Sequence, residues 1–350
     1  MYNIMNHEIW MRRCLDLASC GAGNVAPNPM VGSVIVCQDR IIGSGYHRKY
    51  GGAHAEIHAL DSVRHKELLN NSTLYVNLEP CAHQGKTPPC TDSIIEAGIP
   101  QVVIGSVGPD PRVNGGGIRK LREAGITVLS GVLQNECDAL NRRFFTFHKE
   151  LRPYVILKWA ASADGYLDIL RKENMVARPT WITGETERRL VHRWRSEESG
   201  ILIGTRTAML DNPSLTVRNW AGQHPVRMVI DRNLALPNHL SLFDGAAPTL
   251  VFSQHSQGPS DKVEYIPLDF SANILREMLP LLYQKGILSL MVEGGAYLIK
   301  SFIDNDMWDE ARVFSGQQYF HEGVAAPELD FPPQKVIHFP SSSLSIFRNK

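Results

Sequence analysis

The sequence predicts an α/β protein of two domains, and three observations carry that expectation. Segments with strand-like and helix-like patterning alternate along the chain, as they do in layered α/β proteins. With 350 residues, 43% of them hydrophobic and 21% charged, the chain has material for more than one ordinary core. Finally, Arg152-Pro153 interrupts the pattern: a helix-like stretch from Asn141 to Lys149 ends there and an apolar strand, Tyr154 to Trp159, begins. The expected domains are residues 1–150 and 151–350.

The elements of the first half follow in order. Glu8 to Ser19 has helical spacing through Ile9, Leu15 and Leu17. The Asn28-Pro29 turn leads into a strand, Val31 to Val36, and Arg40 to Tyr46 forms a second. A helix starts near His54 and runs through Ile57, His58, Ala59 and Leu60; the strand Thr73 to Leu78 then delivers Glu79, Pro80 and Cys81 at its C-terminal end. Thr91 to Ala97 and Ile118 to Ala124 read as helices, Gln101 to Ser106 and Thr127 to Leu129 as strands. This half is expected to be a three-layer α/β domain. Residues at a helix start and at a strand-to-helix junction can converge there at the strand ends, where open α/β sheets bind ligands.

His54-Ala55-Glu56, then Pro80-Cys81, then Cys90 supply three metal ligands and one carboxylate left over. Three protein ligands leave the fourth tetrahedral position of zinc open for water, whose pKa falls to about 7. Hydroxide formed in this way can attack an amidine-like ring carbon. The displaced nitrogen leaves as ammonia only if some group carries the proton from water to amine. Glu56, two residues from His54, is placed for that. The set is that of a zinc deaminase, apart from the long spacing between the cysteines. The alternatives are weaker. His54 and His58 have the spacing of an H-E-x-x-H zinc protease, but position 55 is Ala and the protease base is missing. The cysteines at 14, 20, 37, 81, 90 and 137 are too scattered for a dense disulfide framework.

Composition narrows the partners. Lys plus Arg and Asp plus Glu number 36 each and no basic block stands out, which argues against nucleic acid and, with it, against deamination of a base in RNA. No apolar run is long enough to span a bilayer, and Met1 to Cys20 mixes His7, Glu8, Arg12, Arg13 and Asp16 into its apolar positions, unlike a signal peptide. The expected location is the cytoplasm, where thiols stay reduced.

In the second half a charged helix runs through His192 and Arg195. Strands are expected at Gly200 to Gly204, Val226 to Asp231, Thr249 to Ser253 and Leu288 to Val292. The last of these leads into Glu293-Gly294-Gly295 and a helix from Tyr297 to Ile303. That junction is either a tight turn or a phosphate cradle, in which small residues let backbone N–H groups and a helix start approach an anion. No G-x-G-x-x-G fingerprint is present.

Longer motifs are more specific. Leu78-Glu79-Pro80-Cys81-Ala82-His83-Gln84-Gly85-Lys86-Thr87-Pro88-Pro89-Cys90, with Ala26-Pro27-Asn28-Pro29-Met30-Val31-Gly32 and Gly51-Gly52-Ala53-His54-Ala55-Glu56, resembles the deaminase domain of the bifunctional deaminase/reductase family of riboflavin biosynthesis. Lys158-Trp159-Ala160-Ala161-Ser162-Ala163-Asp164-Gly165, Trp181-Ile182-Thr183-Gly184, Asp211 to Arg218 and Glu293-Gly294-Gly295 resemble its reductase domain.

The resemblance implies a cytidine-deaminase-like three-layer α/β/α domain followed by a dihydrofolate-reductase-like α/β domain. It implies one zinc per chain on His54, Cys81 and Cys90, with Glu56 as the proton carrier, and a pyrimidine ribotide against Asn28, His83, Lys86 and Thr87. Lys86 read alone could equally be a solvated loop lysine. In the second domain it implies NADPH on Ala161, Trp181, Thr207, Asp211, Gly295, Ala296, Tyr297, Leu298, Ile299, Lys300 and Ser301, and substrate on Arg195, Leu215, Arg218 and Glu293. Bidentate arginines suit a sugar phosphate, although without the family they would read as surface ion pairs. A homo-oligomer is implied by the family alone. The chain departs from the family pattern at Pro179, where a serine is common, at Asp168-Ile169-Leu170-Arg171, and from Trp308 to Pro327.

Overall fold

Alternating burial organises the first half of the chain. In a strand successive side chains point to opposite faces, so an apolar run covered on both sides feeds two separate cores. The computed structural model describes residues 2–82, 88–109, 115–171, 180–260 and 262–349. They form two compact units, Met1–Leu151 and Arg152–Lys350.

The first unit runs α1 (Tyr2–Ser19), β1 (Gly32–Cys37), β2 (Arg40–Tyr46), α2 (Ala55–Ser62), β3 (Thr73–Leu78), α3 (Cys90–Glu96), β4 (Gln101–Ser106), α4 (Gly116–Glu123), β5 (Thr127–Ser130), α5 (Gln134–Leu140) and α6 (Arg142–Glu150). The sheet order is β2-β1-β3-β4-β5, antiparallel at β2-β1-β3 and parallel across β3-β4-β5. Ile35, Leu74, Val76, Val102 and Ile104 pack on one face against Ala59 and Leu60 of α2, Ile94 of α3 and Leu121 of α4. Their neighbours Val34, Val36, Tyr75 and Val103 pack on the other against Met11 and Cys14 of α1 and Cys137 of α5. Three layers result, as the sequence predicts. Gly32 lets α1 lie directly on β1, since a Cβ there would fall 2.1 Å from the Cys14 carbonyl oxygen. The helix expected from Asn141 to Lys149 is α6; α5, which the sequence did not announce, precedes it, with Asn141 at the junction. The Asn141 side chain reaches away from both helices: Oδ1 accepts from Met30 N and Nδ2 donates to Met30 O, both at 2.8 Å.

The second unit runs β6 (Tyr154–Ala161), β7 (Tyr166–Asp168), α7 (Glu185–Glu197), β8 (Gly200–Gly204), α8 (Thr205–Asp211), β9 (Val226–Ile230), β10 (Thr249–Ser253), β11 (Val263–Pro267), α9 (Ile274–Gln284), β12 (Ser289–Val292), α10 (Ala296–Asp304), β13 (Glu310–Gly316), β14 (Val324–Ala325), β15 (Lys335–Phe339) and β16 (Ser342–Arg348). The main sheet has the order β11-β10-β9-β8-β12-β6-β13-β16-β15, parallel from β11 to β13 and antiparallel at its last two pairings. Val155, Leu157, Leu202, Met228 and Phe252 pack against α9 and α10. Ile156, Ile201, Ile203, Val229 and Val251 pack against α7 and α8. Strands β15 and β16 were not expected from the sequence. Their burial is mixed, with most of β15 facing solvent at the sheet edge, so neither presents the continuous apolar run that marks the central strands.

Candidate active sites

In the first unit three ligands come from three different elements. His54 is the extended residue that caps α2, Cys81 follows the end of β3, and Cys90 opens α3. Their ligand atoms all lie within 4.8 Å of one another. His54 Nδ1 is 3.2 Å from Cys90 Sγ and 3.6 Å from Cys81 Sγ. The two cysteine segments are tied by their own backbone: Cys90 N donates to Cys81 Sγ at 3.3 Å and Thr91 N to the Cys81 carbonyl at 3.2 Å.

The charges in this cluster point to a cation. Hydrogen bonding from Cys90, above all, lowers the Cys81 thiol to about 4 against the cost of burial. The same pairing with Cys81, together with burial, pushes the Cys90 thiol up. Two sulfurs, Cys90 buried and Cys81 half-buried, that compete for one negative charge beside an imidazole nitrogen form a donor set that zinc fits. Glu56, in the first turn of α2 and only 3% exposed, lies beside this set; burial first, then the Cys81 charge, raise its carboxyl to about 7.

Asn28 faces the same region and is held by a residue that sequence reasoning missed. Asn28 Nδ2 donates to His47 Nε2 at 3.1 Å, and His47 Nδ1 donates to the Ala53 carbonyl at 3.0 Å. This fixes the His47 tautomer and, among the described residues, leaves Asn28 Oδ1 without a hydrogen-bond partner. Burial lowers the His47 pKa, favouring the neutral ring that the arrangement needs. Asn77 and Asn141 clamp Met30, two residues on, through both its backbone groups. His83, Lys86 and Thr87 lie outside the described residues.

The second unit holds a cavity of about 1290 Å³ at the C-terminal ends of β6, β8, β9 and β12, the usual binding edge of a parallel sheet. Trp181, Thr207, Asp211, Gly295, Ala296, Tyr297, Leu298, Ile299 and Ser301 line it, and so do Arg195, Leu215, Arg218 and Glu293. Two expected residues are not part of its wall. Ala161 is buried within the sheet opposite Ser315, and Lys300 turns to the exposed side of α10, where its ammonium meets Asp304 at 2.8 Å.

An ionic core underlies the cavity. Arg195 holds both oxygens of Glu293 at 2.8 Å, and Lys158 Nζ stands 3.8 Å from Glu293 Oε2. Burial alone would raise the Glu293 carboxyl, but Arg195 and Lys158 hold it down to about 2. Arg195 is therefore neither a surface ion pair nor a free guanidinium; its fork is already turned to Glu293. Burial, then Arg195 and Arg218, lower His192 to about 4, and its neutral Nδ1 accepts from Arg218 N at 3.2 Å. The Arg218 guanidinium reaches Ser214 Oγ from an exposed position. Next to it Leu215 is 1% exposed with φ +52, a left-handed conformation that costs a branched residue energy and is held by its surroundings. Thr207 Oγ1 accepts from Gly295 N at 3.1 Å and so fixes the turn that starts α10. Pro179 lies outside the described residues.

Comparison with known proteins covers both units. Residues 4–106 match the family described as the cytidine and deoxycytidylate deaminase zinc-binding region, and residues 153–316 match the RibD C-terminal domain. The chain is 38% identical over 325 residues to the riboflavin biosynthesis protein RibD of Aquifex aeolicus, spanning 91% of this chain and 89% of that one. It is 39% identical over 330 residues to RibD of Synechocystis, spanning 93% and 88%. Among solved structures, a diaminohydroxyphosphoribosylaminopyrimidine deaminase/5-amino-6-(5-phosphoribosylamino)uracil reductase from Thermotoga maritima superposes with a TM-score of 0.88 at 38% identity, over 99% of both chains. RibD of Acinetobacter baumannii superposes with a TM-score of 0.89 at 29% identity, again over 99% of both.

Proposed function

The chain belongs to the RibD family of riboflavin biosynthesis proteins, and we propose that residues 1–150 and 151–350 act in turn on one pyrimidine ribotide. It is a bifunctional enzyme, a zinc-dependent deaminase and an NADPH-dependent reductase. The proposed substrates are those named for the Thermotoga relative. The first domain replaces the C2 amine of 2,5-diamino-6-(5-phosphoribosylamino)pyrimidin-4(3H)-one by oxygen, consuming water and releasing ammonia. The second reduces the ribosyl side chain of 5-amino-6-(5-phosphoribosylamino)uracil to ribityl.

The observation that carries the deaminase is the convergence of His54, Cys81 and Cys90 beside a buried Glu56. Zinc held by those three would supply a water acidified to near neutral pH. Glu56, with its carboxyl raised to about 7, can take a proton from the attacking water and pass it to the departing amine. Asn28, oriented by His47, offers a carbonyl oxygen to an N–H of the pyrimidine.

In the reductase, Thr207, Asp211, Trp181 and the Gly294-Gly295 turn would hold NADPH, whose nicotinamide supplies hydride to the ring-opened, imine-like C1′ of the substrate. Arg218 at the cavity mouth suits the ribotide phosphate. Arg195 and Glu293 act there as a fixed pair that shapes the wall and keeps Lys158 close by. Among the described residues no helix is long and apolar enough to cross a membrane, and we place the enzyme in the cytoplasm, as a homo-oligomer without nucleic acid.

The test gives purified, zinc-analysed protein the diaminopyrimidine ribotide with and without NADPH, following ammonia release and NADPH oxidation separately. Ammonia in both tubes and NADPH oxidation in the second is the expected result. Ammonia without NADPH oxidation would remove the reductase assignment, and no ammonia from zinc-loaded protein would remove the deaminase.

A further inference from the structure

Arg171, at the end of Asp168-Ile169-Leu170-Arg171, lines the cavity of the second unit. Its side chain is 8% exposed and joins three segments. Nε and Nη2 donate to the two oxygens of Asp168 at 2.8 and 3.2 Å, and Asp168 is in turn held by the Thr180 hydroxyl at 2.5 Å. With its plane fixed on β7 in this way, the guanidinium extends Nη1 to the Leu210 carbonyl at 3.3 Å and Nη2 to Asp211 Oδ1 at 3.0 Å. Leu210 and Asp211 form the last turn of α8. A carboxylate there faces the negative end of the helix and gains from a cation that meets both it and the terminal carbonyls. Among the described residues, Asp211 Oδ2 accepts no hydrogen bond, and the residue lines the cavity.

We propose that Arg171 is a positioning residue for the nicotinamide nucleotide: by holding Asp211 Oδ1 it leaves Oδ2 as a fixed acceptor for an N–H or O–H of the cofactor. This rests on the reading of the second unit as a reductase. Among the described residues Asp168 and Asp211 share this one guanidinium, and the Asp211 end of the cavity presents a carboxylate oxygen. It therefore takes a neutral donor, a carboxamide or ribose hydroxyl, and rejects a phosphate. Lysine could not replace Arg171, because a single ammonium cannot span Asp168, Leu210 and Asp211 together.

The experiment titrates NADPH and NADH into the 350-residue chain by fluorescence for wild type, Arg171→Gln, Arg171→Lys, Asp211→Asn and the Arg171→Gln/Asp211→Asn double variant. Arg171→Gln is expected to raise both dissociation constants about tenfold and by the same factor. Arg171→Lys should recover little, and in the Asp211→Asn background Arg171→Gln should add less than twofold. An unchanged dissociation constant, full additivity with Asp211→Asn, or a loss confined to NADPH would each overturn the proposal. If Arg171→Gln does not fold, Asp168→Asn loosens the same guanidinium, and unaltered binding by that variant would overturn it too. Wild type that binds neither nucleotide would overturn the reductase reading, whereas binding by wild type matched by Arg171→Gln would overturn only this inference.

Discussion

The Glu79 carboxylate accepts the backbone N–H of Gly117 at 2.9 Å, and Gly117 lies so close to the metal-ligand loop that a Cβ there would fall 2.1 Å from the Pro80 carbonyl oxygen. Glu79 also accepts from Ile118, Gly108 and Gly115, each at 3.1 Å. One buried side chain thus caps the start of α4 and locks it against the residue that precedes Cys81. Glu79→Ala should leave four N–H groups without their acceptor and cost on the order of 3 kcal/mol or more, because each such loss is worth about 1–3 kcal/mol before relaxation. Gly117→Ala should be comparably damaging for steric reasons. Both variants should lose zinc more readily under chelator challenge. Zinc retention equal to wild type would show that Cys81 does not depend on this anchor.

Glu56→Gln separates proton transfer from metal binding. Glutamine keeps the size of the buried side chain but cannot cycle a proton, and Glu56 is not among the three ligands. Zinc should stay at one per chain while ammonia release falls by about 10²–10⁴, the usual worth of a positioned acid–base group. NADPH oxidation with the already deaminated ribotide should be unaffected. Ammonia release within a few-fold of wild type would remove Glu56 from the proton path.

The central strands and the zinc set were legible because each is encoded locally. The run of β1 shows its two-sided burial directly, and Cys81 and Cys90 sit in a long, specific motif. What was not legible depends on contacts distant in sequence. His47 becomes meaningful only when Asn28 and Ala53 flank it, and Glu79 only when the start of α4 meets it. Arg195 and Glu293, each expected to meet substrate, both line the cavity, and across 98 positions of sequence they also fold into a mutual pair. Nothing in either local sequence carries that information. Lys300 was included in a continuous binding segment, but the helical period of α10 turns its side chain outward.

Acid should destabilise the second unit in two stages. His192 is held at about 4 against an ordinary value of 6.5, so the unfolded chain binds a proton between those values that the fold refuses. Stability present above pH 6.5 is therefore lost as pH falls toward 4. Glu293 is held at about 2 against 4.5, so its contribution is present above pH 4.5 and is lost as pH falls toward 2. That gap corresponds to about 3 kcal/mol. Urea unfolding followed by tryptophan fluorescence suits the measurement, because Trp159, Trp181, Trp194, Trp220 and Trp308 all lie in this unit. His192→Gln should flatten the upper stage and Glu293→Gln the lower. A His192→Gln profile that still declines between pH 6.5 and 4 as wild type does would assign that stage elsewhere.

Arg218 differs from Arg195 in what remains free to bind. Arg195 spends both arms of its fork on Glu293 inside the wall, whereas Arg218 is exposed and is held by Ser214 and by the strained loop at Leu215. Its backbone is fixed through His192, while its charge faces the cavity mouth. Such a residue can bind the ribotide phosphate equally in ground state and transition state, which predicts an effect on KM alone. Arg218→Ala should raise the reductase KM for the ribotide by about 10- to 100-fold, the worth of one charge-assisted hydrogen bond, with kcat little changed. Arg218→Lys should recover part of the loss by supplying charge without the fork. Arg195→Ala should instead damage folding, because it leaves Glu293 buried beside Lys158 alone, at a cost of about 3–5 kcal/mol. Steady-state kinetics and urea unfolding on the two variants test the division: an Arg218→Ala enzyme with unchanged KM would place the phosphate elsewhere, and a stable Arg195→Ala protein with raised KM would return that role to Arg195.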